Sequence, residues 1–195
     1  MDIVEEIRKH VIKRYQERDD AEGMDMYETH VKYVVEYAKT LAEKLGAGVE
    51  VVEIAALLHD IARIDGLNEN HHIEGAKYAE ELLDGLGYDS DKISIIKDCI
   101  MSHRGSAGIP QKTIESKCLA SADAMAHFRS IPDMFYFVYK VLDCNIEEGK
   151  EKLRKKFSES YAKMIPEAKE MVEEKYAAVM KILDWEELST ENIVR

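Results

Sequence analysis

The sequence predicts an all-α fold. Apolar residues recur at helical spacing, no run alternates apolar and polar residues as a half-buried strand does, and turn-forming clusters are few, with only three prolines, Pro110, Pro132 and Pro166. Over 26–45, His30, Val34, Ala38, Leu41 and Leu45 share one helical face, and Gly46-Ala47-Gly48 is a stop signal. A second helix starts at about Val49 and runs through Ile54, Ala55, Leu57, Leu58 and Ile61. It is apolar on nearly every side, as a central buried helix is, and ends near Asp65-Gly66. A third helix covers about 71–84, a fourth about 90–103 with Ser90 as its capping residue, and a fifth about 112–128, after the loop from Gly105 to Pro110.

Beyond Pro132 come the aromatic stretch Met134-Phe135-Tyr136-Phe137-Val138-Tyr139 and a Glu/Lys-rich helical tract to Trp185, with no histidine and no dense polar constellation. We expect this extension, about 132–185, to serve packing, pocket closure or homo-oligomerisation. No repeat or linker divides the chain, so residues 1–195 read as a single domain with a core at about 26–129.

Composition narrows the function classes. A chain of 195 residues with 46% hydrophobic content can bury a core without disulfide or metal staples. Its three cysteines, Cys99, Cys118 and Cys144, are odd in number and lack paired spacing. That argues against a disulfide framework or a thiolate zinc cage, and for small core residues in a reducing cytoplasm. Met1-Asp2-Ile3-Val4-Glu5-Glu6 lacks the basic and apolar regions of a signal peptide, and no later segment is long enough to span a bilayer. The formal charge of -12 repels a polyanionic backbone, which excludes duplex nucleic acid as a partner. A small phosphorylated substrate remains open, because a buried divalent cation and a few Arg or Lys residues reverse the potential inside a pocket.

Five of the seven histidines, His30, His59, His71, His72 and His103, fall in the first four of these helices. His59-Asp60 is the sharpest feature, since it follows the buried-type run Ala55-Ala56-Leu57-Leu58. A buried carboxylate beside a buried imidazole is costly unless a cation or hydrogen bonds compensate both. Neighbouring helical residues diverge by about 100°, so these two can grip one ion only at the edge of their shared face, with other helices completing the shell. His30, on an apolar face, and Asp123, within Leu119-Ala120-Ser121-Ala122-Asp123-Ala124, are the natural completions. Taken singly, each has a bland reading: His30 as a core imidazole bonded to a carbonyl, Asp60 as the ion-pair partner of Arg63 at i+3, Asp123 as a polar residue on a solvent face. Their joint occurrence points to a metal site.

The ordered series His30, His59-Asp60, Asp123 resembles the signature of the HD superfamily of metal-dependent phosphohydrolases. His71-His72-Ile73-Glu74-Gly75-Ala76 resembles the family's histidine four residues before a Gly-Ala pair. Ile100-Met101-Ser102-His103-Arg104 resembles its histidine at the end of the next helix. The likeness spans about 26–129. It implies an all-α HD-domain helical bundle in which His30, His59, Asp60 and Asp123 bind one divalent ion. His71 and His103 correspond to positions that hold a second metal in some members and contact the substrate phosphate in others. By its spacing to Gly75-Ala76, His71 is the better match, and His72 is expected to face outward. Ala62-Arg63 stands where the cyclic-dinucleotide branch has Gly-Lys, and Arg63-Ile64 where the guanosine-tetraphosphate hydrolases carry an acidic pair. Both departures argue against those substrates.

The chemistry this implies is attack of metal-activated water on phosphorus. Asp60, His71 and His103 are the catalytic candidates, and Arg63 and Arg104 the substrate contacts. A nitrogen and oxygen ligand set suits Mn²⁺, Co²⁺, Ni²⁺, Fe²⁺ or Mg²⁺ better than structural zinc. Likeness to small stand-alone members points to nucleotides as substrates. Two other readings keep the fold: a dinuclear phosphodiesterase or oxygenase, and a non-catalytic nucleotide sensor with 132–185 as its partner surface. Lys112, Lys117 and Arg129 read equally well as pocket residues or as solvated surface charges.

Overall fold

The computed structural model describes residues 2–17 and 26–184, and among them there are helices and no strand. Helix α1, Ile3–Gln16, begins where the Asp2 carboxylate accepts the Val4 amide at 3.1 Å. It was not among the expected elements, although Ile7, Val11 and Tyr15 recur every fourth residue and are buried. A π-helical turn, Tyr27–Val31, leads into α2, Lys32–Leu45, which Gly46 ends with φ 70°. That left-handed conformation disfavours a side chain.

Helix α3, Val49–Leu58, gives way to a 3-10 turn over Ile61–Asp65. Next come α4, His71–Gly85, and α5, Ser90–Ser102. The cap of α5 is not Ser90 but Asp89, whose carboxylate accepts the Lys92 amide at 2.9 Å; Ser90 is already the first helical residue. Asp89 precedes the apolar run by the distance an N-cap needs to reach the N3 amide. Helix α6, Ile114–Arg129, starts at a capping box between Thr113 and Ser116. Helix α7, Ile131–Tyr136, runs into a second π-turn over Phe137–Val141, followed by α8, Ile146–Lys163, and α9, Pro166–Leu183. Trp185, where the helical tract was expected to end, lies outside the described residues.

Two helices form the centre. In α3, every residue from Val51 to Leu58 is buried, and in α6 every residue from Cys118 to Phe128. Helix α2 lies along α6, α4 along α5, and α1 against α3. The small residues Ala120, Ala122, Ala124 and Ala126 let neighbours approach α6 closely. The antiparallel pair α8 and α9 also packs on α6: Phe157 meets Phe128 at a ring separation of 5.3 Å, and the Ile165 amide donates to Ser121 Oγ at 3.2 Å. Cys99 and Cys118 are core residues as expected, but Cys144 is half-buried, with Lys152 Nζ 3.1 Å from its sulfur. None of the described helices is long and apolar enough to cross a membrane.

Candidate metal centre

A cavity of about 790 Å³ opens where the π-turn before α2, the 3-10 turn after α3, α4, α6 and α8 converge, and His30, Asp60, His71, His103 and Asp123 line it. His59 stands behind them, fully buried. The structure thus brings together side chains from separate elements that the sequence spreads over nearly a hundred residues.

Local backbone geometry explains how the neighbours His59 and Asp60 share one target. Helix α3 stops at Leu58, and Asp60 has φ -111° and ψ 11°, outside the helical region. The expected 100° divergence of helical neighbours therefore does not apply. His30 lies in the π-turn, and the Ser130 hydroxyl donates to the adjacent Thr29 carbonyl at 2.7 Å, pinning that turn to the end of α6. One extra residue per turn is a common device where a side chain must be re-aimed into a site.

Three imidazoles are oriented in the same way. Nδ1 of His59 lies 2.8 Å from Ala56 O, Nδ1 of His71 2.8 Å from Asn68 O, and Nδ1 of His103 2.6 Å from Ile100 O. A ring nitrogen bonded to a carbonyl must carry the proton, so each Nε2 presents a lone pair to the cavity. Two groups of acceptor atoms result. In the first, His30 Nε2 is 3.4 Å from His59 Nε2, 3.2 Å from Asp123 Oδ1 and 3.9 Å from Asp60 Oδ2, and His59 Nε2 is 3.6 Å from Asp60 Oδ2. In the second, Asp60 Oδ1 faces His71 Nε2 at 3.3 Å and His103 Nε2 at 3.6 Å, and the two imidazole nitrogens are 3.2 Å apart. Asp60 turns one oxygen to each group.

Paired lone pairs at such distances repel unless a cation lies between them. Asp60 Oδ1 supports that need directly: it is buried without a hydrogen-bond donor among the described residues, because Arg63 Nε, 2.8 Å away, is not aligned to donate. Metal–ligand bonds of about 2.0–2.2 Å require donor atoms about 3.0–3.5 Å apart, the range most of these contacts fall in. The residues present therefore fit a divalent cation, and the clusters His30/His59/Asp60 and Asp60/His71/His103 each gather their donor atoms within 4.8 Å.

Burial raises the Asp60 carboxyl, but the adjacent His59 imidazole and Arg63 guanidinium outweigh it and hold the group well below the usual carboxylate range. Asp123 behaves likewise, with the Lys163 ammonium and His30 opposing burial. Burial pushes His59 and His71 down to about 4, so both are neutral at physiological pH and can donate a lone pair without first losing a proton.

One expectation needs correction, and several alternatives that the sequence left open are decided. His72 does not face outward: it is buried, edge-on to His71 at a ring separation of 5.7 Å. Asp123 does not lie on a solvent face, being 8% exposed. Lys112, Lys117 and Arg129 do not line the cavity, and Arg129 instead lies 4.9 Å over the Tyr33 ring. The Asp60–Arg63 ion pair exists alongside the cluster rather than instead of it. Arg63 and Arg104 both line the cavity, with Arg104 also bonded to Glu69 O.

Among the cavity residues that sequence reasoning missed are His127, Lys156 and Lys163. His127 stacks on His30 at a ring separation of 5.5 Å, and its Nδ1 is 3.0 Å from Ser160 Oγ. Its place four residues after Asp123, one turn along the same helix, was a usable signal. Lys156 and Lys163, from α8, also reach the cavity, and Lys163 Nζ is 2.6 Å from Asp123 Oδ2.

The sequence matches the HD domain family over residues 27–127. No curated protein matches it. In fold, the chain is similar to the crystal structure of a predicted HD superfamily hydrolase from an uncultured Thermotogales bacterium. The TM-score is 0.65 at 23% identity, covering 92% of this chain and 88% of that one.

Proposed function

As the chain belongs to the HD domain family, we propose that it is a metal-dependent phosphohydrolase acting on a small phosphorylated substrate, foremost a nucleotide. The observation that carries this reading is the convergence of imidazole Nε2 lone pairs on a buried Asp60 oxygen that has no hydrogen-bond donor among the described residues. His30, His59, Asp60 and Asp123 would hold the cation. When bound, a divalent ion supplies Lewis acidity, lowering the pKa of water and offsetting charge on a phosphoryl oxygen.

The remaining residues divide the work. Arg63, held beside Asp60, presents its guanidinium to the cavity and orients a phosphoryl group, with Arg104 at the rim. His71 carries no proton on Nε2 at neutral pH, so it suits accepting a proton from the attacking water better than protonating a leaving oxygen. His103 presents its Nε2 beside that of His71. Met26, Met134 and Phe137 add an apolar wall that fits the organic part of a substrate.

A two-ion variant of this reading is favoured by Asp60, whose two oxygens face the two separate acceptor groups. The test is a phosphate and pyrophosphate release screen over nucleotides with Mn²⁺, Co²⁺, Ni²⁺ and Mg²⁺, with Asp60→Ala as the blank. Turnover in that blank equal to the parent chain's would refute the hydrolase reading.

A further inference from the structure

Lys156, Ser160 and Lys163 stand on one face of α8, four and three residues apart, and all three line the cavity. The cations here are unequally partnered. Lys163 is paired with Asp123 at 2.6 Å and donates to His103 O at 3.3 Å. Arg63 is paired with Asp60 at 2.8 Å. Lys156 makes no hydrogen bond and has no carboxylate oxygen within 4.0 Å among the described residues, although Asp133 and Glu159 line the same cavity. Burial lowers its pKa, Asp123 and Asp60 oppose this, and Lys163 and Arg63 lower it further.

A half-buried ammonium that shares its cavity with Lys163 and Arg63 and has no carboxylate oxygen within 4.0 Å among the described residues is unfavourable, and an anionic ligand is what relieves it. A single phosphoryl group seated at the imidazole and carboxylate cluster is already met there by Arg63 and the cation. That leaves Lys156 for a second anionic group. The cavity, at about 790 Å³, has room for more than one phosphate and for an organic remainder along its apolar wall.

We infer that Lys156, with Lys163 beside it, forms a second anion subsite that selects substrates carrying two linked phosphoryl groups, with the non-reacting one seated against α8. The subsite belongs to α8, outside residues 27–127, so it is a feature of this chain's C-terminal part rather than of the matched family region. The inference rests on the hydrolase reading only for which phosphate is cut.

The probes are methylenediphosphonate and methylphosphonate, whose phosphorus–carbon bonds hydrolysis does not cleave. Each is titrated calorimetrically into the full chain at fixed free Mn²⁺. The diphosphonate should bind about tenfold or more tightly than the monophosphonate. Lys156→Met should lose about tenfold for the diphosphonate and under twofold for the monophosphonate, while Lys156→Arg retains the preference. No preference in the parent chain, or equal losses for both probes in Lys156→Met, overturns the subsite. If Lys156→Met fails to fold, as its thermal melt will show, Lys156→Gln takes its place in the same comparison. Binding is read without turnover, so a chain that keeps the Lys156-dependent preference but cleaves no phosphate ester retains the subsite and loses the hydrolase reading.

Discussion

The Lys163 ammonium, at the end of α8, lies 2.6 Å from Oδ2 of Asp123, while Oδ1 of the same carboxylate faces His30 Nε2 at 3.2 Å. One carboxylate therefore joins the C-terminal helices to the acceptor cluster. Lys163→Met leaves a buried carboxylate oxygen without its donor, at a cost of about 2 kcal/mol in the metal-free protein. A bound cation offsets the same charge, so the loss should shrink with Mn²⁺ present. Thermal unfolding of both proteins with and without Mn²⁺ checks this. An equal loss in the two conditions would mean that Lys163 and the ion do not share Asp123.

Asp60 faces both acceptor groups, whereas His71 faces only the second. After equilibration with excess Mn²⁺ and desalting, Asp60→Ala should retain well under one ion per chain, while His71→Ala should retain about one. Turnover in Asp60→Ala should fall on the order of a thousandfold. Elemental analysis that finds full metal in Asp60→Ala would remove that residue from the ligand set.

His59 is buried and its pKa is pushed down to about 4 from 6.5. Between those values the unfolded chain binds a proton that the folded chain refuses, so stability falls as pH drops through this window and is unaffected by the group above about pH 7. At pH 5 the loss from His59 is on the order of 2 kcal/mol. Asp60 and Asp123, held well below the usual carboxylate range, are lost only at lower pH and do not blur the window. Urea unfolding of EDTA-treated protein at pH 7.5 and 5 should show the drop, to which His71 and His127, also lowered by burial, add, and His59→Gln should remove only the share that His59 contributes. A pH-independent midpoint in the parent chain would show that His59 is not held neutral.

A Cβ built on Gly149 in α8 would overlap the ring of Tyr139, whose hydroxyl is anchored to Ile146 O at 3.3 Å. Gly149→Ala should therefore destabilise by about 1–3 kcal/mol, even though alanine is the better helix former. Tyr139→Leu in the same chain should recover much of the loss. A stabilised Gly149→Ala single variant would contradict this packing.

The helical class and the cluster residues were legible because His30, His59-Asp60 and Asp123 interrupt runs that otherwise read as core, and an ionisable side chain in such a place requires a reason. Lys156 and Lys163 carried no such mark. They sit in a Glu/Lys-rich helix whose composition is that of a solvated face, and only the docking of α8 on α6 turns that face inward. His72 was misjudged because spacing along one helix says nothing about what packs over it. Asp89 and Ser90 are both good caps, and the choice between them depends on where the backbone enters the helix, which composition leaves open.

His59 and His103 follow the last helical residues of α3 and α5, and each ring is bonded by Nδ1 to a carbonyl of its own final turn. The same side chain closes a helix with one nitrogen and faces the cavity with the other. These rings are thus already posed before any guest arrives, so little freedom is left for an ion to take away on entry. Discrimination among metals then falls to the width of a stiff opening, and one ion should replace another with the walls standing still.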